Sequence, residues 1–269
     1  MGIIFKAKSQ EAYVLKILAE LLANNIKTGC FVIDVDGISL RMMDHHRRIL
    51  IDLNLKAENY VVYRFNSKKM FLGLNLNHLH KMLKSIKKKD SIELFIDDEI
   101  PTELGIKVIP KENNRTTTSY IKIQSIQNLD IDIPIGYGKP ITISSSEYQK
   151  IVKDMGNIGS VMKIKSKNFS IEFSCDAGGI LKRTVKFGEE EDEDELLDGE
   201  EFSQEFNSEQ LCRITKLAGL SNNIQIYPGK PLLFKSTIGN IGNISIYIKS
   251  KDQIELEGKE HVDSDYDSE

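Results

Sequence analysis

Tryptophan is absent from this 269-residue chain, proline occurs six times and cysteine three times. Cys30, Cys175 and Cys212 are far apart, and none belongs to a CxxC pair. A disulfide framework and a zinc site are therefore not expected, and the thiols suit a reducing compartment. No apolar run reaches the length that spans a bilayer, and the opening MGIIFKAKSQ lacks the apolar core of a secretory leader. These absences lead us to expect a soluble intracellular protein that does not engage a membrane. GxGxxG, Walker, HExxH and GxSxG motifs are missing as well, so the commonest dinucleotide, nucleotide, metalloprotease and serine-hydrolase chemistries have no footing.

The charge distribution is uneven. The net charge is −4, from 36 basic and 40 acidic residues. Ten of the acids fall in residues 189–201 with no basic residue among them, and five more fall in 260–269. Without these 15 the body carries 36 basic residues against 25 acidic ones. A mildly acidic total therefore conceals a basic body, which is compatible with nucleic acid if the basic residues share a face. The last stretch, 256–269, reads as a disordered acidic tail.

Apolar periodicity divides the chain into repeated units. Residues 10–24 place Val14, Ile17, Leu18, Leu21 and Leu22 at helical spacing, with Ser9 as a candidate cap. Residues 76–87 repeat the pattern with Leu79, Met82, Leu83 and Ile86, and helix-like segments begin again near Ser146 and Ser208. Between them lie strand-like runs at 29–35, 37–42, 49–55, 61–65, 91–96, 105–109, 118–126, 161–165, 170–175, 181–187, 223–227, 232–236 and 244–249. The alternation of Ile49, Ile51, Leu53 and Leu55 predicts a sheet with one buried face. Residues 128–140, NLDIDIPIGYGKP, are broken by Pro134, Gly136, Gly138 and Pro140 and read as a connector. One helix-plus-strands unit used four times predicts an α+β chain of two similar domains, 1–127 and 141–255.

Each helical segment carries basic residues opposite its apolar stripe: Lys16 on the first, Lys81 and Lys84 on the second, Lys150 and Lys153 on the third, Arg213 and Lys216 on the fourth. A helix whose apolar stripe lies on a sheet must turn such charges outward. One pair alone is usually a solvated face. Repetition on every helix suggests a positive surface that attracts phosphates without reading bases. The acids Asp34, Asp36 and Asp44, with His45 and His46, form the one cluster resembling a metal or nuclease site, although DVDG is also an ordinary turn sequence.

Four separated blocks, DVDGISLRMMD at 34–44, YRF at 63–65, LGLNLNHLHKMLKSI at 72–86 and SSEYQKIVKDMGNIG at 145–159, resemble the proliferating cell nuclear antigen family of DNA sliding clamps. The resemblance extends over nearly the whole chain. It implies two clamp domains, each with two helices packed on antiparallel sheet and joined by a connector loop. Three subunits of such a protein close head to tail into a ring of six domains with the helices lining the hole. The implied function is non-enzymatic: a homotrimeric processivity factor that encircles double-stranded DNA without sequence specificity and tethers DNA polymerase and other replication or repair proteins. It would require no cofactor and no metal, would need an ATP-driven clamp loader, and would reside in a nucleus or a viral replication compartment.

Carried over position by position, the resemblance makes Lys16, Lys81, Lys84, Lys150, Lys153, Arg213 and Lys216 the DNA contacts. It makes Met43, Arg47, Ile131, Ile133, Pro134, Tyr247, Lys249 and Ser250 the partner-binding set, and it puts subunit contacts on edge strands near residues 107–109 and 174–183. The chain departs from the family pattern at Arg47, where histidine is common, and at Lys249-Ser250, where alanine-proline is common. Its connector is shorter, and its acidic insertion at 189–201 is longer. A non-encircling viral processivity factor or a heterotrimer subunit is the alternative, and a metal-dependent nuclease using Asp34, Asp36 and Asp44 is a further one.

Overall fold

A computed structural model describes residues 2–112, 115–188 and 201–266, with side chains through Lys259. The acidic insertion, apart from Glu201, lies outside the described residues. The chain divides into two compact units, the first built from Met1–Asp132 with Gly219–Ser221 and Ser236–Ser245, the second from the remainder. The division falls at Asp132/Ile133, inside the segment read as the connector, and residues 125–140 there contain no helix or strand.

The first unit begins with β1 (Ile3–Ser9), α1 (Ala12–Asn25), β2 (Thr28–Ile33), β3 (Gly37–Met43), β4 (Ile49–Lys56) and β5 (Val62–Phe65). It repeats the order as β6 (Met70–Asn75), α2 (Leu76–Leu83), β7 (Ser91–Asp97), β8 (Glu103–Ile109) and β9 (Thr117–Lys122). Its strands run β5-β1-β7-β8-β9 and β4-β3-β2-β6, with antiparallel pairing throughout. The second unit has β10 (Ile141–Ser144), α3 (Ser145–Gly156), β11 (Val161–Lys167), β12 (Ser170–Asp176) and β13 (Lys182–Phe187). It continues with β14 (Phe202–Asn207), α4 (Ser208–Arg213), β15 (Asn223–Tyr227), β16 (Leu232–Ile238), β17 (Gly242–Ile248) and α5 (Lys251–Tyr266), except that Ser236–Ser245, the end of β16 and the start of β17, belong to the first unit. Its strands run β13-β12-β11-β14 and β10-β15-β16-β17. The two-domain α+β architecture thus matches the sequence expectation, and in each quarter a strand leads directly into the helix.

Burial explains why the helices lie on sheet. On α1, Leu15, Leu18, Leu21 and Leu22 are buried, and on α3 Tyr148, Ile151, Val152 and Met155 are buried. In the strands the same alternation appears in β11 and β12, where every second residue faces inward. Tyr148 anchors the second unit: its ring packs 5.4 Å from Phe234 and 6.3 Å from Phe173, centroid to centroid, and its hydroxyl donates to the Leu211 carbonyl at 3.3 Å. Burial raises the Tyr148 phenol well above its ordinary pKa, so it remains a neutral donor. The first unit has a small, partly open apolar hollow of about 60 Å³ bordered by Leu18, Leu22, Phe31, Leu79 and Leu83.

Several expectations need correction. The second helix ends at Leu83 rather than residue 87, because Lys84 and Ile86 donate to carbonyls three residues back. The fourth stops at Arg213 and tightens into a 3₁₀ turn over Thr215–Gly219, where the Thr215 hydroxyl donates to the Cys212 carbonyl at 2.7 Å. The stretch expected as a disordered tail over 256–269 is helical through Tyr266. Ser250 and Gln253 start that helix as a capping box. The Gln253 amide N–H donates to Ser250 Oγ at 3.3 Å, and the Ser250 N–H donates to Gln253 Oε1 at 3.1 Å. None of the described helices is long and apolar enough to cross a membrane.

The proposed edge segments also move. Residues 107–109 belong to β8, which is paired on both sides, Lys107 facing Glu93 on β7 and Thr118 on β9. Ser174 on β12 likewise faces both Lys163 and Thr184. Among the described strands, the free edges on these sides are β9 and β13, so only Lys182 and Arg183 of the expected second segment lie on an edge.

Candidate functional site

Two helix pairs carry the basic candidates, α1 with α2 in the first unit and α3 with α4 in the second. On α2, Asn75 caps the first turn by accepting from the His78 N–H at 3.0 Å. Leu76 and Leu83 are buried, while Lys81 and the following Lys84 are exposed. On α3, Lys150 and Lys153 are exposed opposite the buried stripe. The neighbouring acid, Asp154, is engaged by Arg183 of β13 at 3.5 Å, which reduces its competition with Lys153.

The remaining candidates are less simple. Lys16 is half-buried: its ammonium donates to the Ile86 carbonyl at 3.0 Å and lies 5.5 Å from the centroid of the Tyr13 ring. It thereby closes the end of the α2 segment. Arg213 reaches Glu209, one helical turn earlier, at 2.5 Å. Lys216 lies on the 3₁₀ turn rather than on the α-helix. Lys81, Lys84, Lys150 and Lys153 are exposed on their helix faces, while the charge of Arg213 is already partly matched by Glu209.

The partner-binding candidates are distributed over both units. In the first, Met43 ends β3, and Arg47 occupies a left-handed position, φ 54°, in the turn after it. That turn is built by Asp44, whose buried carboxylate accepts from the N–H groups of Arg48 at 2.7 Å and Ile49 at 2.8 Å. Ile131 is held to β3 through its carbonyl, which accepts from Arg41 Nη1 at 3.1 Å while Arg41 Nε meets Asp52 at 3.0 Å. In the second unit, Ile133 and Pro134 are half-buried, and Tyr247 is buried with its ring 6.1 Å from Tyr137. Lys249 reaches Glu257 of α5 at 2.6 Å, and Ser250 caps α5.

Sequence reasoning missed two contributors. Tyr137, within the glycine-broken GYGKP, meets Tyr227 edge-to-face and Tyr247 at a tilt, and its hydroxyl donates to the Pro231 carbonyl at 2.7 Å. Its aromatic identity between two glycines was the available signal. Arg41 had none, because its role depends on the chain returning to β3 some ninety residues later.

The acidic cluster does not assemble as a metal site. Asp34 Oδ1 accepts from the Asp36 and Gly37 N–H groups, shaping the turn, and Asp44 is committed to its own turn. Among the described residues no group of three His, Cys, Asp or Glu side chains is placed to hold a metal ion. The carboxylates of Asp34 and Asp44 on which the nuclease alternative drew are thus engaged in shaping their own turns.

Residues 4–133 match the family model "Proliferating cell nuclear antigen, N-terminal domain", and residues 133–251 match "Proliferating cell nuclear antigen, C-terminal domain". The chain belongs to the proliferating cell nuclear antigen family. Two relatives show how far it has diverged. It is 26% identical to the proliferating cell nuclear antigen of Chaetomium thermophilum, over 92% of this chain and 98% of that protein. It is also 26% identical to uncharacterized protein 436R of Invertebrate iridescent virus 6, over 96% of each chain. Proteins of the proliferating cell nuclear antigen family are non-catalytic clamps that act with DNA and with polymerase and loader partners, typically in the nucleus.

Proposed function

We propose that the chain is a sliding-clamp subunit whose copies close into a homotrimeric ring around duplex DNA and tether a DNA polymerase as a processivity factor. The observation that carries this reading is the repeated placement of Lys81, Lys84, Lys150 and Lys153 on exposed helix faces opposite buried stripes in both units. Ammonium groups so arranged neutralise phosphates without reading sequence, which favours retention with translation over fixed binding. Polymerase would dock through the set Met43, Arg47, Ile131, Ile133, Pro134, Tyr247, Lys249 and Ser250 and so gain a high effective concentration at the primer end.

Ring closure is supported by two strand edges that are open among the described residues. On β9 Tyr120 is 55% exposed, and immediately before β13 Ile180 is 93% and Leu181 52% exposed. Such apolar residues beside unpaired strand edges are a liability in a free chain and a resource in an oligomer. Pairing β9 of one copy with β13 of the next makes a heterologous contact, which closes into a ring if the rotation per subunit is right.

The test is solution mass by light scattering over a concentration series, followed by retention on circular DNA. We expect the mass of three chains, and retention that is lost when the circle is cut. A single-chain mass with equal retention on cut and uncut DNA would overturn encirclement in favour of a non-encircling processivity factor.

A further inference from the structure

Beyond the helix faces, the first unit carries a second basic feature. The chain between α2 and β7 is folded by Asp90, which is buried. Its carboxylate accepts from the Lys87 N–H at 2.9 Å, and its own N–H donates to the Lys87 carbonyl at 3.1 Å. This closed turn spends its acid on backbone and turns Lys87, Lys88 and Lys89 into solvent. Lys8 of β1 and Lys111 after β8 come to the same place, so that five lysines border two adjoining hollows of about 500 and 540 Å³, with Glu112 at one rim. The hollows share Lys89, Asp90, Pro110 and Lys111 and form one open groove.

We infer that this groove is an additional binding site for the phosphodiester backbone of duplex DNA, continuous with the α1–α2 face. This rests on the clamp reading above and extends it to residues outside the helices. Continuity is carried by Tyr13 of α1: Lys16 lies 5.5 Å and Lys88 5.9 Å from the centroid of the same ring, so the groove's charge begins where that of the helix ends. The chemistry favours phosphate over an acidic peptide. The charged donors are all lysines, compact point charges that hold phosphate without the planar fork of arginine. The apolar floor of Val61, Ile109 and Pro110 offers no aromatic anchor of the kind that concentrates peptide affinity. A row of similar phosphates can instead exchange among the five ammonium groups as the duplex moves.

The experiment measures the affinity of the full chain for a linear duplex by fluorescence anisotropy over a KCl series. It compares the wild type, the groove variant Lys87→Ala/Lys88→Ala/Lys89→Ala and the helix variant Lys81→Ala/Lys84→Ala, with circular dichroism as the fold control. The loop should survive substitution, since Asp90 holds the backbone and not the lysine side chains. Each lost phosphate contact lowers the slope of log K against log salt by about 0.9, so the groove variant should lose up to about 2.7 and the helix variant up to about 1.8. The conservative triple Lys→Arg variant should retain the wild-type slope. A groove variant with wild-type slope beside a helix variant with a reduced one would overturn the groove and leave the clamp reading intact. Wild-type slopes in both variants would overturn both. A groove effect present in the full chain and absent from a chain lacking residues 189–200 would show that the acidic segment occupies the groove, and would also overturn the inference.

Discussion

Tyr148 offers the sharpest test of how α3 is held in place to present Lys150 and Lys153. Its side chain is 1% exposed and contacts Phe173 and Phe234 within the second unit, and its hydroxyl donates to Leu211 at the end of α4. Two substitutions separate these contributions. Tyr148→Phe keeps the ring and removes the hydroxyl; at 3.3 Å the lost hydrogen bond should cost about 0.5 to 1.5 kcal/mol. Tyr148→Ala removes the ring too, and deletion of a buried aromatic side chain costs about 3 to 5 kcal/mol through lost transfer energy and the cavity left behind. With a urea m-value of about 2 kcal/mol/M, those costs lower the midpoint of the second unit by about 0.5 M and about 2 M respectively. Urea unfolding followed by circular dichroism measures the shift. Hydrogen exchange assigns it: amides of α3 and β12 should lose protection, while those of α1 should not. A Tyr148→Ala variant destabilised no more than Tyr148→Phe would refute the packing argument, and equal loss of protection in α1 would refute its confinement to the second unit.

Other parts of the chain make separable predictions. Ile133→Ala should weaken binding of a polymerase-derived clamp-binding peptide at least tenfold by isothermal titration calorimetry while leaving DNA affinity unchanged; unchanged peptide affinity would remove Ile133 from the docking set. Ser250→Ala deletes one half of the capping box and should destabilise the first turn of α5 by about 1 kcal/mol, read as faster hydrogen exchange at Gln253 and Ile254 with little change in global unfolding. Burial raises the thiol pKa of Cys30, Cys175 and Cys212 above the usual range, so the thiolate fraction at pH 7 falls below that of an ordinary cysteine and grows as pH rises. Iodoacetamide should therefore label all three slowly in the folded chain at pH 7, faster at pH 9 and rapidly in urea. Rapid labelling of Cys212 at pH 7 would contradict its partial burial against the Val152 carbonyl, to which its Sγ donates at 3.5 Å.

Which features were legible in the sequence follows from where the forces act. The four helix starts and most strands carry their own periodicity, because each buries one face against material within its own unit. The strands missed were β1, β6, β10 and β14, and each leads into a helix. Their sequences are weak in isolation: β14, FSQEFN, buries only Phe206, and β10 has four residues with two buried. They are strands because a neighbour supplies the ladder, Phe206 facing Met162 and Thr142 facing Gln225, and pairing over such separations leaves no local mark. The helix ends failed for a related reason. Apolar spacing continues through Ile86 and Leu217, yet the backbone tightens where Lys16 takes the Ile86 carbonyl and Thr215 takes that of Cys212.

The same distinction governs the candidate site. Lys81, Lys84, Lys150 and Lys153 could be read because an exposed helix face is a matter of spacing. Lys8 and Lys111 could not be joined to Lys87, Lys88 and Lys89, because β1 and β8 approach that turn only through β7, which pairs with both. The sequence does show a lysine run after the second helix. What converts it from a solvated end into a groove is the burial of Asp90, a single acid that a charge count would enter as neutralising its neighbours. Its carboxylate is engaged by backbone and the three ammonium groups face solvent, so they stay open to another polyanion even though the acid's own charge still counts in the local sum.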